Sequence, residues 1–182
     1  MVKEINSVGI IGAGQMGLGI AHVCASSGFN VNLLDIDQSV LDDAIKTIDS
    51  NLGRLASRGK ISEQEKKISL SKIKTDTLFE SLSDCDLVIE AATENETIKN
   101  SIYKKVCPIL KKDAILSTNT SSISITRLAA QTDRPDKFMG IHFMNPAPLM
   151  ELIELIRGIA TDPKVFSVIR EFANKLNKTP VS

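Results

Sequence analysis

Apolar runs alternate with amphipathic stretches along this 182-residue chain, and the alternation begins near its start. The apolar run Val8-Gly9-Ile10-Ile11 leads into a glycine-rich turn, and a helical pattern follows over 15–27 until Gly28 ends it. A second apolar run, over 31–35, ends in an acid. Strand, helix and strand in this order indicate an α/β fold with parallel strands.

The glycine-rich turn reads Gly12-Ala13-Gly14-Gln15-Met16-Gly17, a G-x-G-x-x-G motif between a strand and a helix. Its first glycine permits a tight turn, the second lets backbone amides approach a pyrophosphate, and the third lets the helix pack close to the strand. Asp35 can accept hydrogen bonds from both hydroxyls of an adenosine ribose and would repel a 2′-phosphate, which favours NAD over NADP. A glycine turn without a ligand would explain the glycines but not this acid. Asp37 is the rival acid, and we expect it to cap the next helix.

A longer helical segment comes next. A charged amphipathic pattern covers about 39–70, breaks at Arg58-Gly59-Lys60 and restarts at the capping box Ser62-Glu63-Gln64-Glu65. It predicts a helical hairpin that is much longer than a crossover between parallel strands requires. We therefore expect an insertion that projects from the sheet.

The remaining pattern continues the alternation. It predicts strands over 73–75, 86–91 and 114–117, a helix over 98–110 stopped by Pro108, strands over 138–143 and 151–156, a helix over 165–176, and a strand beginning at Thr179. The loop after 138–143 is too short for a parallel crossover, so the strands on either side of it form an antiparallel pair. The chain is thus predicted to form one domain over 1–182, a Rossmann-type, doubly wound, mainly parallel sheet with an antiparallel edge hairpin and the helical insertion.

Composition and charge narrow the function. Lys and Arg together number 22, as do Asp and Glu, so no net charge attracts the chain to nucleic acid or to an anionic membrane. We find no apolar run long enough to span a bilayer and no signal peptide in Met1–Asn6, and we expect a cytoplasmic protein. Cys24, Cys85 and Cys107 form no C-x-x-C or histidine pattern, so core packing in a reducing compartment is favoured over a metal site.

The antiparallel pair carries the first candidate chemistry. Facing residue numbers in such a pair have a constant sum, and a loop centred on Pro148 places His142 opposite Glu154. A carboxylate fixes the tautomer of an imidazole and stabilises its protonated form, as a general base requires. His142 also lies at the carboxyl end of its strand, where open α/β sheets bind ligands. A histidine that is held by an acid for purely structural reasons is the alternative.

Further polar residues follow the ends of other strands. The loop Ser117-Thr118-Asn119-Thr120-Ser121-Ser122 offers hydroxyls and an amide for a substrate oxygen or the nicotinamide ribose. The alternative is that Ser121, Ser122 or Ser124 simply caps the next helix. Asn145 is explained equally well as a turn residue before Pro146. Glu94 and Lys99, five residues apart, make a poor helix pair. We interpret His22, on the first helix, as a packing or surface residue.

Several of these blocks together resemble the NAD-binding domain of 3-hydroxyacyl-CoA dehydrogenases, including bacterial 3-hydroxybutyryl-CoA dehydrogenases. The blocks are the glycine motif with Asp35, Glu94-Asn95 with Lys99, the loop 117–122, and Gly140-Ile141-His142-Phe143-Met144-Asn145-Pro146. The resemblance covers essentially the whole chain. The serine-rich block followed by G-x-H-F-x-N-P is specific to that family.

The resemblance implies NAD-dependent, reversible oxidation of an (S)-3-hydroxyacyl-CoA, such as 3-hydroxybutyryl-CoA, to a 3-oxoacyl-CoA. It implies that His142 is the general acid/base, that Glu154 orients it, and that Ser121 and Asn145 donate hydrogen bonds near the C3 oxygen and the nicotinamide. The hairpin is implied to bind coenzyme A through Asn51 and Arg58, with Arg54 one turn earlier; Ser121 also contacts the substrate. A solvated basic face is the alternative for Arg54. The implied NAD-binding residues are Gly12, Ala13, Gly14, Gln15, Met16, Gly17, Asp35, Glu94, Lys99, Asn119, Ser121 and Asn145.

Members of the family continue into a helical domain that carries the dimer interface and a further active-site asparagine. We expect this domain to be absent here, so that NAD binding is retained while catalysis and homodimerisation depend on it. Two alternatives stay open. One is another β-hydroxyacid dehydrogenase, which would use a lysine base, and the other is a non-catalytic NAD-binding relative of the lens-crystallin kind.

Overall fold

A computed structural model describes residues 3–182. Met1 and Val2, which belong to the segment predicted to lack a signal peptide, lie outside the described residues. The strands are β1 Ser7–Ile11, β2 Asn30–Leu34, β3 Ile73–Asp76, β4 Leu87–Glu90, β5 Ile115–Thr118, β6 Phe138–Phe143, β7 Leu152–Arg157 and β8 Thr179–Val181. The helices are α1 Gln15–Ser26, α2 Gln38–Ser57, α3 Glu63–Ser71, α4 Glu96–Val106, α5 Ile125–Ala129 and α6 Pro163–Lys175.

The described strands form one sheet in the order β3-β2-β1-β4-β5-β6-β7-β8. Every neighbouring pair is parallel except β6 and β7, which are antiparallel. The strand order reverses between β1 and β4, and the crevice at such a reversal is where doubly wound folds bind dinucleotides. The predicted fold class is confirmed.

Two apolar cores cover the two faces of the sheet. One contains buried residues of α1, α2 and α6, including Ile20, Ile48 and Ile169, and the other contains residues of α4 and α5, including Tyr103 and Leu128. The central strands are buried on both sides, which explains why they read as continuous apolar runs rather than as alternating ones.

The helical hairpin consists of α2 and α3. Asp37 caps α2 by accepting a hydrogen bond from the Ser39 amide at 2.8 Å, as predicted for the rival acid. Ser62 and Glu65 form the predicted capping box at the start of α3, and Gly59 makes the turn between the helices with φ of +71°. α2 buries Leu41 and Ile48 with the two other residues of its apolar stripe, Ala44 and Leu52, against the core.

Most predicted boundaries differ from the structure by one or two residues, and the end of α4 differs by four. α4 begins at Glu96, two residues before the predicted start, because Asn95 caps it by accepting from the Ile98 amide at 3.0 Å. It ends at Val106, before Pro108. β7 lies one residue later than predicted, but its register with β6 pairs His142 with Glu154 as expected.

Among residues 3–182, no helix combines the length and hydropathy needed to cross a bilayer. Within the same range, no three His, Cys, Asp or Glu residues cluster closely enough to hold a metal ion. Cys24, Cys85 and Cys107 are free and buried.

Candidate active site

The glycine loop joins β1 to α1 at the carboxyl edge of the sheet. Gly12 has φ of +102°, and a Cβ there would lie 2.8 Å from the Ala91 carbonyl oxygen. A Cβ on Gly17 would lie 1.7 Å from the Gly12 oxygen. A Cβ on Gly14, by contrast, would meet no atom within 4 Å, so the backbone there faces open space. Two of the glycines serve close packing, and the third leaves room for a ligand.

Asp35 follows β2 and is tied to the glycine loop. Its Oδ2 accepts a hydrogen bond from the Ala13 amide at 3.0 Å, and its Oδ1 accepts one from the Asp37 amide at 3.0 Å. A carboxylate has about four acceptor positions, so two remain for the hydroxyls of a ribose. The carboxylate is half-buried, and the backbone bonds fix its orientation.

These features fit the NAD that the sequence predicts. The open backbone at Gly14, the N-terminal turn of α1 and the oriented Asp35 would hold the pyrophosphate and the adenosine ribose. α1 has no acidic residue in its first turn to repel a phosphate. Ala13 and Gln15 line the same region, whereas Met16 is half-buried and packs against the core.

His142 and Glu154 lie side by side on β6 and β7. His142 Nδ1 is 3.8 Å from Glu154 Oε1, within reach of an ion pair but too long for a hydrogen bond. Nδ1 is buried and has no other hydrogen-bond partner. The His142 side chain is 20% exposed and that of Glu154 is 45% exposed. The open ring nitrogen, Nε2, is the one available to a substrate.

Glu94 organises the polar loop that follows β5. Its Oε2 accepts from the Thr120 hydroxyl at 2.7 Å, and its Oε1 accepts from the Ser121 amide at 3.1 Å. The Ser121 hydroxyl is 3.5 Å from Oε1 and is exposed. Ser124, not Ser121, caps α5. Ser121 therefore keeps its hydroxyl for other contacts.

Asn119 connects this loop to the strand of His142. Its Oδ1 accepts a hydrogen bond from the Phe143 amide at 2.8 Å. The side chain thereby holds the end of β6 next to the end of β5.

The expectation that the Lys99 side chain lines the cofactor is corrected by its burial. The side chain has no exposed surface, and Nζ donates to Glu90 Oε1 at 2.6 Å and to Thr118 Oγ1 at 3.2 Å. Tyr103 also donates to Glu90 Oε1, at 3.1 Å. An acid in an otherwise apolar strand was the available sequence signal for this cluster, because a buried carboxylate needs a partner.

The Glu90 cluster supports the floor of the crevice. Glu90 Oε2 accepts from the Ala92 amide at 2.9 Å, and this turn is the one against which Gly12 packs. Lys99 thus supports the glycine loop indirectly, through Glu90 and the turn at Ala92.

A cleft of about 600 Å³ runs between α1, α2 and the loop 145–149. Asn51, Arg54 and Arg58 line it from α2, and Asn145 lines it from the loop after β6. Arg54 also donates a hydrogen bond to the Asn51 side-chain oxygen. The structure thus brings three predicted coenzyme A residues and one predicted catalytic residue to a single cleft. His142 and Ser121 are not among the residues that line it.

A family model described as "3-hydroxyacyl-CoA dehydrogenase, NAD binding domain" matches residues 7–182. The chain is 53% identical over 178 residues to a 3-hydroxybutyryl-CoA dehydrogenase of Bradyrhizobium diazoefficiens, covering 98% of the chain and 61% of the relative. It is 47% identical over 174 residues to a probable 3-hydroxybutyryl-CoA dehydrogenase of Deinococcus radiodurans, covering 96% and 62%.

Solved structures give the same picture. The crystal structure of (S)-3-hydroxybutyryl-CoA dehydrogenase from Ralstonia eutropha matches with a TM-score of 0.96 at 44% identity, over 98% of this chain and 63% of that one. The chain therefore spans about three fifths of the length of these relatives.

Proposed function

Because the chain belongs to the 3-hydroxyacyl-CoA dehydrogenase family, we propose that it forms the NAD-binding part of an enzyme that reversibly oxidises an (S)-3-hydroxyacyl-CoA to a 3-oxoacyl-CoA. The names of the relatives favour a short-chain substrate, 3-hydroxybutyryl-CoA or acetoacetyl-CoA. One observation carries the proposal: the His142–Glu154 pair lies at the carboxyl end of β6, at the sheet edge that also holds the glycine loop.

NAD supplies the hydride acceptor when it is bound. Within the chain, we assign to His142 Nε2 the proton that leaves the C3 hydroxyl, while Glu154 stabilises the imidazolium from the Nδ1 side. The gap of 3.8 Å is compatible with this role, because hydrogen bonds of catalytic groups often tighten only when substrate binds. Ser121 and Asn145 are the proposed donors to the forming carbonyl.

The cleft supports the choice of a coenzyme A thioester. Arg54 lies in the last turn of α2 and Arg58, four residues later, is its C-cap, so the two lie on the same side of the helix end, and both line the cleft. Two guanidinium groups on one face suit the phosphates of the nucleotide end. Asn145, at the other side of the cleft, suits the acyl end.

The test is the reduction of acetoacetyl-CoA by NADH, measured with this chain and with a chain extended to the length of its relatives. His142→Gln and Glu154→Gln should each lower kcat, by about 10²–10⁴-fold for the histidine, and leave NADH binding unchanged. Because the glutamate acts through the histidine, the double variant should lose little more than His142→Gln alone.

A double loss equal to the product of the single losses would contradict the coupled pair. NADH binding without turnover by the extended wild-type chain would favour a non-catalytic relative instead. A lysine-based β-hydroxyacid dehydrogenase would be indicated if His142→Gln kept full activity.

We also propose homodimerisation in the extended chain and a cytoplasmic location. Light scattering of the two lengths tests the first proposal, and cell fractionation tests the second.

A further inference from the structure

His22 lies where two cavities meet. The cleft of about 600 Å³ adjoins a second cavity of about 350 Å³ between the end of α1 and the helical hairpin. His22, Leu55 and Pro148 line both of them. The imidazole therefore forms part of the wall along which a ligand in the cleft would lie.

The imidazole is almost enclosed and has no partner among the described residues. His22 is 5% exposed, and its Nδ1 is buried without a hydrogen bond. Nε2 makes no hydrogen bond among the described residues either, but unlike Nδ1 it is not enclosed, so it is the ring nitrogen that a ligand in the cleft can reach. Most of the surrounding lining is apolar and offers no substitute, as at Leu18 and Ala147.

His22 lies between the two ends of the cleft, which are the glycine loop at one end and the two arginines at the other. It lies eight residues after Gly14, or about 12 Å at the helical rise of 1.5 Å per residue. Arg54 lies in the last turn of α2, and Arg58 is its C-cap. Gly19 lies between Gly14 and His22 on α1. It lets the loop 145–149 approach the helix closely, since a Cβ on Gly19 would lie 3.3 Å from the Cβ of Ala147.

Burial and charge keep this imidazole neutral. Burial lowers the pKa of His22 below its ordinary value of 6.5, and the positive charge of Lys178 acts in the same direction. The Lys178 ammonium is itself held by the carbonyl oxygens of Ala147 and Met150, each at 2.7 Å. A neutral imidazole offers one donor and one acceptor, the same pair that an amide presents.

We propose that His22 hydrogen-bonds an amide of the pantetheine arm of the acyl thioester and thereby selects for thioesters that carry this arm. This role of His22 rests on the proposed function and adds a contact that selects its substrate. In this arrangement Arg58 binds the phosphates at one end of the ligand, and His22 binds the uncharged pantetheine arm in its middle.

Two variants and two ligands separate these contacts. The dissociation constants of acetoacetyl-CoA and of acetoacetyl-pantetheine, which lacks the nucleotide, are measured by calorimetry with NAD⁺ present, so that no turnover occurs. His22→Leu should weaken both ligands by the same factor, about 3- to 10-fold, as expected for one hydrogen bond. Arg58→Ala should weaken only acetoacetyl-CoA. His22→Gln, which keeps a donor and an acceptor, should recover most of the affinity.

Unchanged affinity of both ligands for His22→Leu and His22→Gln would overturn the proposal. A loss confined to acetoacetyl-CoA would also overturn it, because it would place His22 at the nucleotide. A loss of NADH affinity together with a lower melting temperature in both variants would assign His22 to packing. If the wild-type chain bound neither thioester, the proposed function would fail as well, and this outcome is distinct from the others.

Discussion

At the scale of single residues, we expect Asp35 to determine the choice between the two nicotinamide cofactors. Its carboxylate is oriented by the Ala13 and Asp37 amides, so a 2′-phosphate would meet a fixed like charge. Such a juxtaposition costs up to several kcal/mol, and 1.4 kcal/mol is a factor of about ten. We expect NADH to bind at least about tenfold more tightly than NADPH in fluorescence titrations.

Asp35→Ser should reduce the ratio of the affinity for NADH to the affinity for NADPH. Asp37→Ser is the matched control, because Asp37 caps α2 and is exposed. Equal affinities of the wild-type chain for the two cofactors would show that Asp35 does not face the ribose.

The buried Glu90–Lys99 pair predicts a different kind of result. Breaking a buried pair leaves one charge without a partner, which costs about 3–5 kcal/mol, whereas removing both charges costs less. Lys99 and Glu90 are both fully buried. Glu90→Gln should therefore lower the free energy of unfolding in urea by about 3–5 kcal/mol, and Glu90→Gln with Lys99→Met should lose less than Glu90→Gln alone. If the stability lost by the double variant equalled the sum of the losses of Glu90→Gln and of Lys99→Met alone, the two charges would not be coupled.

At the scale of elements, sequence patterns predicted what local physics controls. The capping box at Ser62, the break of the helical pattern at Gly59 and the register of His142 with Glu154 follow from turn chemistry and from pairing arithmetic. The burial of the Lys99 side chain against Glu90 did not follow from the sequence pattern. It depends on how α4 packs on β4, and spacing along the chain does not encode that packing.

The helical hairpin gives the element-scale prediction. Arg58 is exposed at the end of α2, so its attraction to phosphate is screened by salt, and the screening length falls from about 10 Å at 0.1 M to about 3 Å at 1 M. The ratio of KM values between Arg58→Ala and wild type for acetoacetyl-CoA should therefore shrink as salt rises. Lys60, exposed just beyond the helix and absent from the cleft lining, provides the control variant Lys60→Ala. A ratio that is independent of salt would indicate that Arg58 supports the helix rather than a phosphate.

At the scale of the whole molecule, the sheet collects residues from distant parts of the chain at one edge. The mainly parallel pairing of the strands was predictable, because alternating strands and helices favour it. The cleft was not, since it forms only when α1, α2 and the loop 145–149 come together. His22 shows this limit: its sequence context indicated packing, and only the three-dimensional arrangement shows it in the cleft wall without a partner.

The global stability should depend on pH through this same residue. Of the described groups whose pKa departs from its ordinary value, His22 is the one whose ordinary value, 6.5, lies between pH 5 and pH 7. Because burial lowers its pKa in the folded state, the unfolded chain binds a proton below pH 6.5 that the folded chain does not. The free energy of unfolding should therefore fall as the pH drops from 7 to 5, by at most about 1.4 kcal/mol per pH unit for one proton.

The comparison with His22→Gln isolates this contribution in urea unfolding at a series of pH values. His142 is present in both proteins, so any contribution that it makes is common to the two profiles. The other charged groups that line the two cavities beside His22, namely Asp43, Arg54, Arg58, Glu65 and Lys178, are likewise common to both. The variant should have the flatter profile between pH 7 and pH 5, and the two curves should run parallel above pH 7. Parallel curves across the whole range would show that His22 is as accessible to protons in the folded protein as in the unfolded chain, which is incompatible with an imidazole enclosed between α1 and the cleft.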